Sequence, residues 1–317
     1  MTNKNRETHA EQEGLLEEYF ENVPCPVCGQ NQYKRIFNVD YHIPAEDLTE
    51  FEWHTFMVKC KICSHTFVQP QFRRTILERH YALRSSDYYE KIGDTESKLY
   101  SKRNLKIIKD IECFVQGGRL LEIGCGTGNF IRHLSSKWQI YGVEPSKWAV
   151  GQLQKRGVRG TFVNDVFSGG IYPKGFFDVV VLIDVMEHIQ RPTEFISSVE
   201  LCMRPMGILV ILTGNCRSLA ARMLRSRWGY LRSAEHCSIF NKGSLTYLLE
   251  RSGFSIIRSR IINHNNNKIT LNHQFGNFKL IAKRVTGRYL TKRKNKFFLA
   301  GLLDHFITYA AKGELKQ

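Results

Sequence analysis

Several features that would classify this 317-residue chain at a glance are missing from it. Residues 1–22 are polar and acidic, without the apolar segment that a secretory signal needs. No stretch reads as a membrane-crossing helix: Val179–Met186 is short and contains Asp184, and Phe297–Ala311 carries Asp304 and His305. Low-complexity tracts are absent, and nothing repeats apart from one short cysteine pattern. Acid is scarce in one region. Between Arg217 and Lys296, eighteen lysines and arginines face only Glu235 and Glu250, a surplus of sixteen that equals the net charge of the whole chain, +16. The remainder is neutral, and the basic half points to a polyanionic partner, a membrane surface or an acidic substrate.

What is present suits a folded protein. Hydrophobic residues make up 42% and charged residues 24%, enough for one or two globular domains and too apolar for a disordered chain. Nine cysteines without a signal segment read as thiols or metal ligands in a reducing, cytoplasmic compartment. Four of them form two C-x-x-C pairs, Cys25/Cys28 and Cys60/Cys63. Each pair can place two thiolates on one tight turn, and two such turns close a tetrahedral zinc site. The 31 residues between the pairs exceed the usual spacing, so each knuckle is expected on its own hairpin with an insertion between them. Four thiolates leave no position open for water, which makes the expected zinc structural. His54 and His65 are taken as structural too.

From Arg73 to Phe114 apolar residues recur at three- and four-residue spacings, the pattern of a helical connector. Arg119–Ile123 then reads as a buried strand, followed by glycines at 124, 126 and 128 and a helical run through Leu134. Those glycines let the backbone bend and approach a ligand closely. They do not match G-x-G-x-x-G, because Asn129 stands where the last glycine belongs. Glu122 inside the strand needs a partner such as a ligand's ammonium group. A second strand, Gln139–Glu144, ends in an acid able to accept ribose hydroxyls. Gly160–Val163 leads to Asn164 and Asp165, and Phe177–Asp184 is nearly all apolar, as a strand buried on both faces should be. Helical segments separate these strands, giving a parallel α/β layout.

The run Leu121-Glu122-Ile123-Gly124-Cys125-Gly126-Thr127-Gly128, with Glu144, Asp165, Phe177-Asp178-Val179-Val180 and Asp184-Val185-Met186-Glu187-His188-Ile189, resembles class I S-adenosylmethionine-dependent methyltransferases. The resemblance covers roughly residues 100–260 and implies a Rossmann-like, mostly parallel sheet of seven strands with the cofactor across the strand ends. It places Glu122, Gly124, Gly126 and Gly128 at the methionine part, Glu144 at the ribose, Asp165 with Val166 at the adenine, and Asp184 and its successors at the reaction centre. The family's Pro-Gly-Gly turn appears here as Pro205-Met206-Gly207. A four-cysteine module ahead of this fold, with Glu235-His236 and Phe240-Asn241 behind it, is similar to bacterial methyltransferases of sugar and polysaccharide pathways. In the C-methylating members a tyrosine lies three positions before such a histidine; Ser233 stands there, which favours O-methylation.

Methyl transfer to a hydroxyl needs a base, and His188 and His236 are the candidates, with capping or structural hydrogen bonding as the other reading of each. His188 is expected to open a helix after the fourth strand, and Cys125 to be a packing residue. Arg217, Arg222, Arg225, Arg227 and Arg232 around Trp228 and Tyr230 suit a phosphate-bearing substrate such as a nucleotide-sugar, a glycan or a lipid-linked glycan. RNA binding or RNA methylation is the alternative, through phosphate neutralisation and stacking. Phe254–Arg260 reads as a sixth strand and Phe278–Arg284 as a seventh strand or a helix start. Lys292–Lys296 precedes an apolar helical face over Phe297–Ala310, suited to peripheral membrane binding through residues 292–311 or to packing on the protein itself or a second copy. The expected organisation is a polar segment (1–22), a zinc module (23–72), a helical connector (73–116), the cofactor-binding domain (117–262) and a basic amphipathic extension (263–317).

Overall fold

A computed structural model describes residues 18–43, 51–84, 98–233, 235–262 and 304–314. At the N-terminus, β1 (Phe20–Glu21) is followed by the long hairpin of β2 (Tyr33–Ile43) and β3 (Phe51–Cys60), then β4 (Thr66–Gln69), β5 (Gln71–Phe72) and α1 (Arg74–Ala82). Most of the described residues between the two cysteine pairs form this hairpin. The helical connector continues as α2 (Lys98–Glu112), whose Ile107, Ile108 and Ile111 recur on one buried face.

The central domain then alternates strand and helix: β6 (Gly118–Ile123), β7 (Trp138–Val143), α3 (Lys147–Lys155), β8 (Thr161–Val163), β9 (Phe177–Ile183), α4 (Pro192–Cys202) and β10 (Met203–Gly214). It closes with α5 (Leu219–Leu224), β11 (Ser238–Ile239), α6 (Lys242–Arg251), β12 (Phe254–Ile262) and β13 (His305–Lys312). The seven-stranded sheet has the order β12-β13-β10-β9-β6-β7-β8. Strands β6 to β10 pair in parallel, whereas β13 runs antiparallel to both β10 and β12. Alternate residues of the central strands fill two cores. Leu121, Val180, Leu182 and Leu209 pack on one face with α6, and Leu120, Val179, Val181 and Val210 on the other with α2. The first core runs on without a break into Cys25, Val58 and Phe67 of the N-terminal module.

Four expectations change. The seventh strand is His305–Lys312, so Phe306, Ile307 and Ala310 lie buried between β10 and β12 instead of forming a helical face for a membrane. Sheet completion explains this, because the slot between β10 and β12 leaves unpaired backbone groups that only another strand can satisfy. Phe278–Arg284 and the basic run Lys292–Lys296 lie outside the described residues. The helix expected after the glycine bend is a single 3₁₀ turn, Ile131–His133. Residues 129–137 must return to the start of β7 along a strand about 20 Å long, and nine residues of α-helix would rise only about 14 Å. His188 likewise sits in a 3₁₀ turn, Met186–His188, before α4 begins at Pro192. Finally, β11 belongs to the four-stranded N-terminal sheet, order β11-β4-β3-β2, so one segment of 117–262 is stitched into the module at 23–72. Met206 adopts φ +61°, a left-handed conformation that carries a steric penalty for a residue with a side chain.

The buried position of Phe306 gives a direct check. Phe306→Ala should cost about 3–5 kcal/mol and lower the urea midpoint of the full chain, whereas a residue on a peripheral membrane helix would leave that midpoint nearly unchanged.

Candidate active site and cysteine cluster

The functional side chains gather along the carboxyl ends of the parallel strands, where open α/β sheets bind ligands. Gly124, Gly126 and Gly128 all have left-handed φ, +72°, +50° and +84°. A Cβ on Gly124 would stand 2.8 Å from Val185 Cγ2, and one on Gly128 would stand 2.6 Å from Leu153 Cδ2, so the bend is closed to side chains. Glu122, next to last in β6, is only 4% exposed and its Oε2 has no hydrogen-bond partner. Burial, reinforced by Glu144, pushes its carboxyl well above the usual range. Glu144 directly follows β7. Its Oε2 accepts the Gly126 N–H at 2.9 Å and its Oε1 the Ser146 N–H at 2.9 Å, which ties the glycine bend to the second strand tip. At the third tip Asn164 donates to the Glu144 and Pro145 carbonyls, and Asp165 accepts the Val166 N–H at 2.7 Å. Cys125 is buried, and its Sγ occupies the space a Cβ on Gly142 would need, so it packs as expected.

Beyond β9 the chain turns at Asp184, which takes φ +54° and lies 3.8 Å from both Arg103 Nη1 and His305 Nε2. Glu187 is 1% exposed and its Oε2 accepts from Thr213 Oγ1 at 2.8 Å. Burial, with Asp184 nearby, raises its carboxyl to about 7. The rings of His188 and His236 stand 4.7 Å apart, one on the turn after β9 and the other two residues before β11. His236 Nδ1 lies 2.5 Å from the Tyr230 carbonyl oxygen; a carbonyl only accepts, so Nδ1 carries the proton and Nε2 the lone pair. His188 Nδ1 is 3.1 Å from the Tyr81 hydroxyl and 3.5 Å from Glu235 Oε2. Burial lowers His188 to about 3, helped by His236, and lowers His236 to about 4, so both rings are neutral near pH 7.

Glu235 joins this group to the N-terminal module by pairing with Arg84 and accepting from His80 Nε2 at 2.7 Å. Burial alone would raise its carboxyl, but the His80 hydrogen bond and the Arg84 charge hold it down to about 2. Tyr230 completes the wall: its hydroxyl accepts the Gly214 N–H at 2.9 Å, and its ring lies 4.4 Å from His236 and 5.2 Å from His305. The structure thus brings His188, His236 and Asp184 together with several groups the sequence did not single out: Tyr81, Arg84, Arg103, Thr213 and the Asp304–His305 pair at 2.9 Å. Tyr81 was visible only as one apolar position of a helical pattern, and Arg103 carried no signal at all. Arg217, Arg222, Arg225 and Arg227 are exposed, while Trp228 is 4% exposed and stacks on Tyr230 at 4.8 Å. That indole is core.

The four cysteines of the two C-x-x-C pairs converge. Cys25 and Cys28 sit in the turn before β2, and Cys60 and Cys63 flank the turn between β3 and β4. Cys25 Sγ lies 3.5 Å from Cys63 Sγ, and Cys28 Sγ 3.5 Å from Cys60 Sγ; all four sulfurs fall within 4.8 Å of one another without a disulfide. Tetrahedral Zn–S bonds of about 2.3 Å put sulfurs roughly 3.8 Å apart, so this donor set fits zinc. His65, fully buried behind the cluster with neither ring nitrogen bonded, packs against Phe240 at 4.6 Å.

A sheet of this order, with its antiparallel strand inserted next to the last and its acids at the tips of successive parallel strands, defines a class I methyltransferase fold. The chain belongs to the methyltransferase-domain family, whose model matches residues 98–259. Among curated proteins it is similar to the ubiquinone biosynthesis O-methyltransferase of Rhodopseudomonas palustris strain TIE-1, 30% identical over 111 residues that cover 34% of this chain and 44% of that protein. The mitochondrial ubiquinone biosynthesis O-methyltransferase of Schizosaccharomyces pombe is 28% identical over 127 residues, 38% of this chain and 45% of that one. The chain therefore spans less than half the length of these curated relatives. Among solved structures it is similar to a SAM dependent methyltransferase from Archaeoglobus fulgidus, with 18% identity, a TM-score of 0.49 and coverage of 71% of this chain and 100% of that one.

The Glu235 ion pair predicts an acid-side loss of stability. A carboxyl held at about 2 when folded and near 4.3 when unfolded stabilises the fold fully above pH 5 or so, and the benefit disappears as pH falls towards 2. Glu235→Gln should cost on the order of 2–3 kcal/mol at pH 7, and the difference from the parent should vanish below about pH 2 in urea titrations.

Proposed function

We propose that this chain is an S-adenosylmethionine-dependent O-methyltransferase. Its acceptor is the hydroxyl of a sugar or related small molecule, with nucleotide-sugars, glycans and lipid-linked glycans as the phosphate-bearing members of that class. The observation that carries the reading is Glu122, a buried carboxylate with an unpartnered oxygen beside a bend closed to side chains and one strand from Glu144. A ligand with an ammonium group and a ribose answers both carboxylates at once.

When bound, the cofactor supplies a methyl group already activated on a sulfonium. The protein has to place and deprotonate the acceptor. Glu122 binds the ammonium. Glu144, fixed at the strand tip by a backbone N–H on each oxygen, binds the ribose hydroxyls. Asp165 and Val166 border the adenine, and Gly124, Gly126 and Gly128 let the backbone lie against the ligand. Asp184, Glu187, His188 and His236 line the acceptor's place. The two imidazoles are neutral near pH 7, and the His236 Nε2 lone pair is aligned by the Tyr230 carbonyl, so a hydroxyl proton has an acceptor within the site. Oxygen as the acceptor atom is supported by the names of the curated relatives, both O-methyltransferases. Cys25, Cys28, Cys60 and Cys63 hold a structural zinc that fixes the base of the β2–β3 hairpin.

Two measurements check these readings. The folded full-length chain should bind S-adenosylhomocysteine by calorimetry, and Glu122→Gln should weaken binding of S-adenosylmethionine at least about tenfold; no affinity for either compound would sink the methyltransferase reading. Methyl-labelled cofactor supplied to cell extract should mark nucleotide-sugar or lipid fractions, and label in RNA alone would end the sugar reading. Separately, one zinc per chain is expected, lost in the Cys25→Ser, Cys60→Ser double variant; unchanged zinc content would remove the metal from the cysteine cluster.

A further inference from the structure

Three side chains at the reaction centre form a second donor set with a different character from the thiolates. One carboxylate oxygen of Glu187 and one ring nitrogen each from His188 and His236 lie within 4.8 Å of one another. Ligands bound at about 2.0–2.2 Å to a tetrahedral ion stand roughly 3.3–3.6 Å apart, so closing on an ion requires side-chain shifts of up to about 1 Å. The Nδ1 atoms of both rings are already engaged on the outer side: His236 on the Tyr230 carbonyl, His188 on the Tyr81 hydroxyl and the Glu235 carboxylate. Outer hydrogen bonds of this kind fix the tautomer and orientation of metal-binding histidines and leave Nε2 as the donor. Glu187 is held in the same manner, through Thr213.

We propose that Glu187, His188 and His236 bind one divalent metal ion at the reaction centre, with the acceptor hydroxyl completing its coordination. Three protein ligands leave positions open, unlike the closed four-cysteine cluster. One oxygen and two imidazole nitrogens suit Mn²⁺, Fe²⁺ or Zn²⁺ better than Ca²⁺. The proposal rests on the methyltransferase reading for the acceptor and its chemistry, and on side-chain geometry alone for the ion site. With the ion in place, proton removal shifts from the imidazoles to the metal. Coordination lowers the pKa of the hydroxyl and its proton passes to water. The O–CH₃ bond forms as the S–CH₃ bond breaks, sulfur keeps that electron pair as a neutral thioether, and the ion keeps its oxidation state. Glu235 and Tyr81 become positioning residues that orient His188.

The test uses full-length chain with zinc in its cysteine cluster, titrated with Mn²⁺ at neutral pH and followed by electron paramagnetic resonance of the free ion. Mn²⁺ is a hard ion with little preference for thiolates, so it reports on the second set. One bound Mn²⁺ per chain is expected, with affinity at least about tenfold lower in His236→Gln and in His188→Gln, and unchanged in Cys113→Ser, an exposed thiol elsewhere. Circular dichroism and S-adenosylhomocysteine binding on the same samples establish that each variant is folded, and Thr213→Val, which disturbs Glu187 without touching either ring, should weaken the ion independently. Absence of any Mn²⁺ site, or affinity in both histidine variants equal to that of the parent, would overturn the proposal. If S-adenosylhomocysteine binds and Mn²⁺ does not, the ion site alone fails; if neither cofactor form binds, the methyltransferase reading fails and the Mn²⁺ result stands on its own.

Discussion

The pairing of β11 with β4 is the constraint on which the candidate site depends. Two residues, Ser238 and Ile239, join the N-terminal sheet opposite Phe67 and Thr66. The Cys237 carbonyl accepts from Val68 N–H and from Gln71 Nε2. That small join anchors Glu235 and His236 against the turn that carries Glu187 and His188. It also brings α1 to the same place, since Tyr81 and Arg84 reach His188 and Glu235 from the other side. The module with the cysteine cluster is therefore a wall of the site.

Dielectric environment sorts the acids of the site into different tasks. Glu122 and Glu187 are both buried, and burial pushes both carboxyls up. Glu235 is nearly as enclosed, yet Arg84 and His80 hold it ionised. Glu144 is secured by two backbone N–H groups. The same burial keeps His188 and His236 neutral, which suits either proton acceptance or metal binding, since both require the lone pair. His305 moves the other way: burial would lower it, but Asp304 and Asp184 raise it. Imidazoles shifted in opposite directions therefore stand side by side at this end of the sheet.

Much of the strand-tip edge of the sheet was legible in the chain itself. Glycines at 124, 126 and 128 after a strand, with acids at 122, 144, 165 and 184 within or just after successive short apolar runs, needed only those runs and turn chemistry to be placed. The same patterning misled at the C-terminus. Phe297–Ala310 has helical spacing, but its second half, Phe306, Ile307 and Ala310, became the strand that the sheet required. Local periodicity cannot foresee a vacancy left by β10 and β12, which are far away in sequence. Similarly, the short return from Gly128 to β7 turned an expected helix into one 3₁₀ turn, a matter of reach and not of propensity.

The sequence by itself determined the strand-tip acids, the glycine bend and the two thiolate pairs, because each is set by residues adjacent along the chain. Only the tertiary structure decided that His188, on the turn after β9, would face His236, just ahead of β11, and that Tyr81, Arg84 and Glu235 would orient them. It also decided that Trp228 would be core and that residues 305–312 would complete the sheet. Those outcomes come from long-range pairing and burial, where unsatisfied backbone groups and apolar surface choose partners that no local window contains.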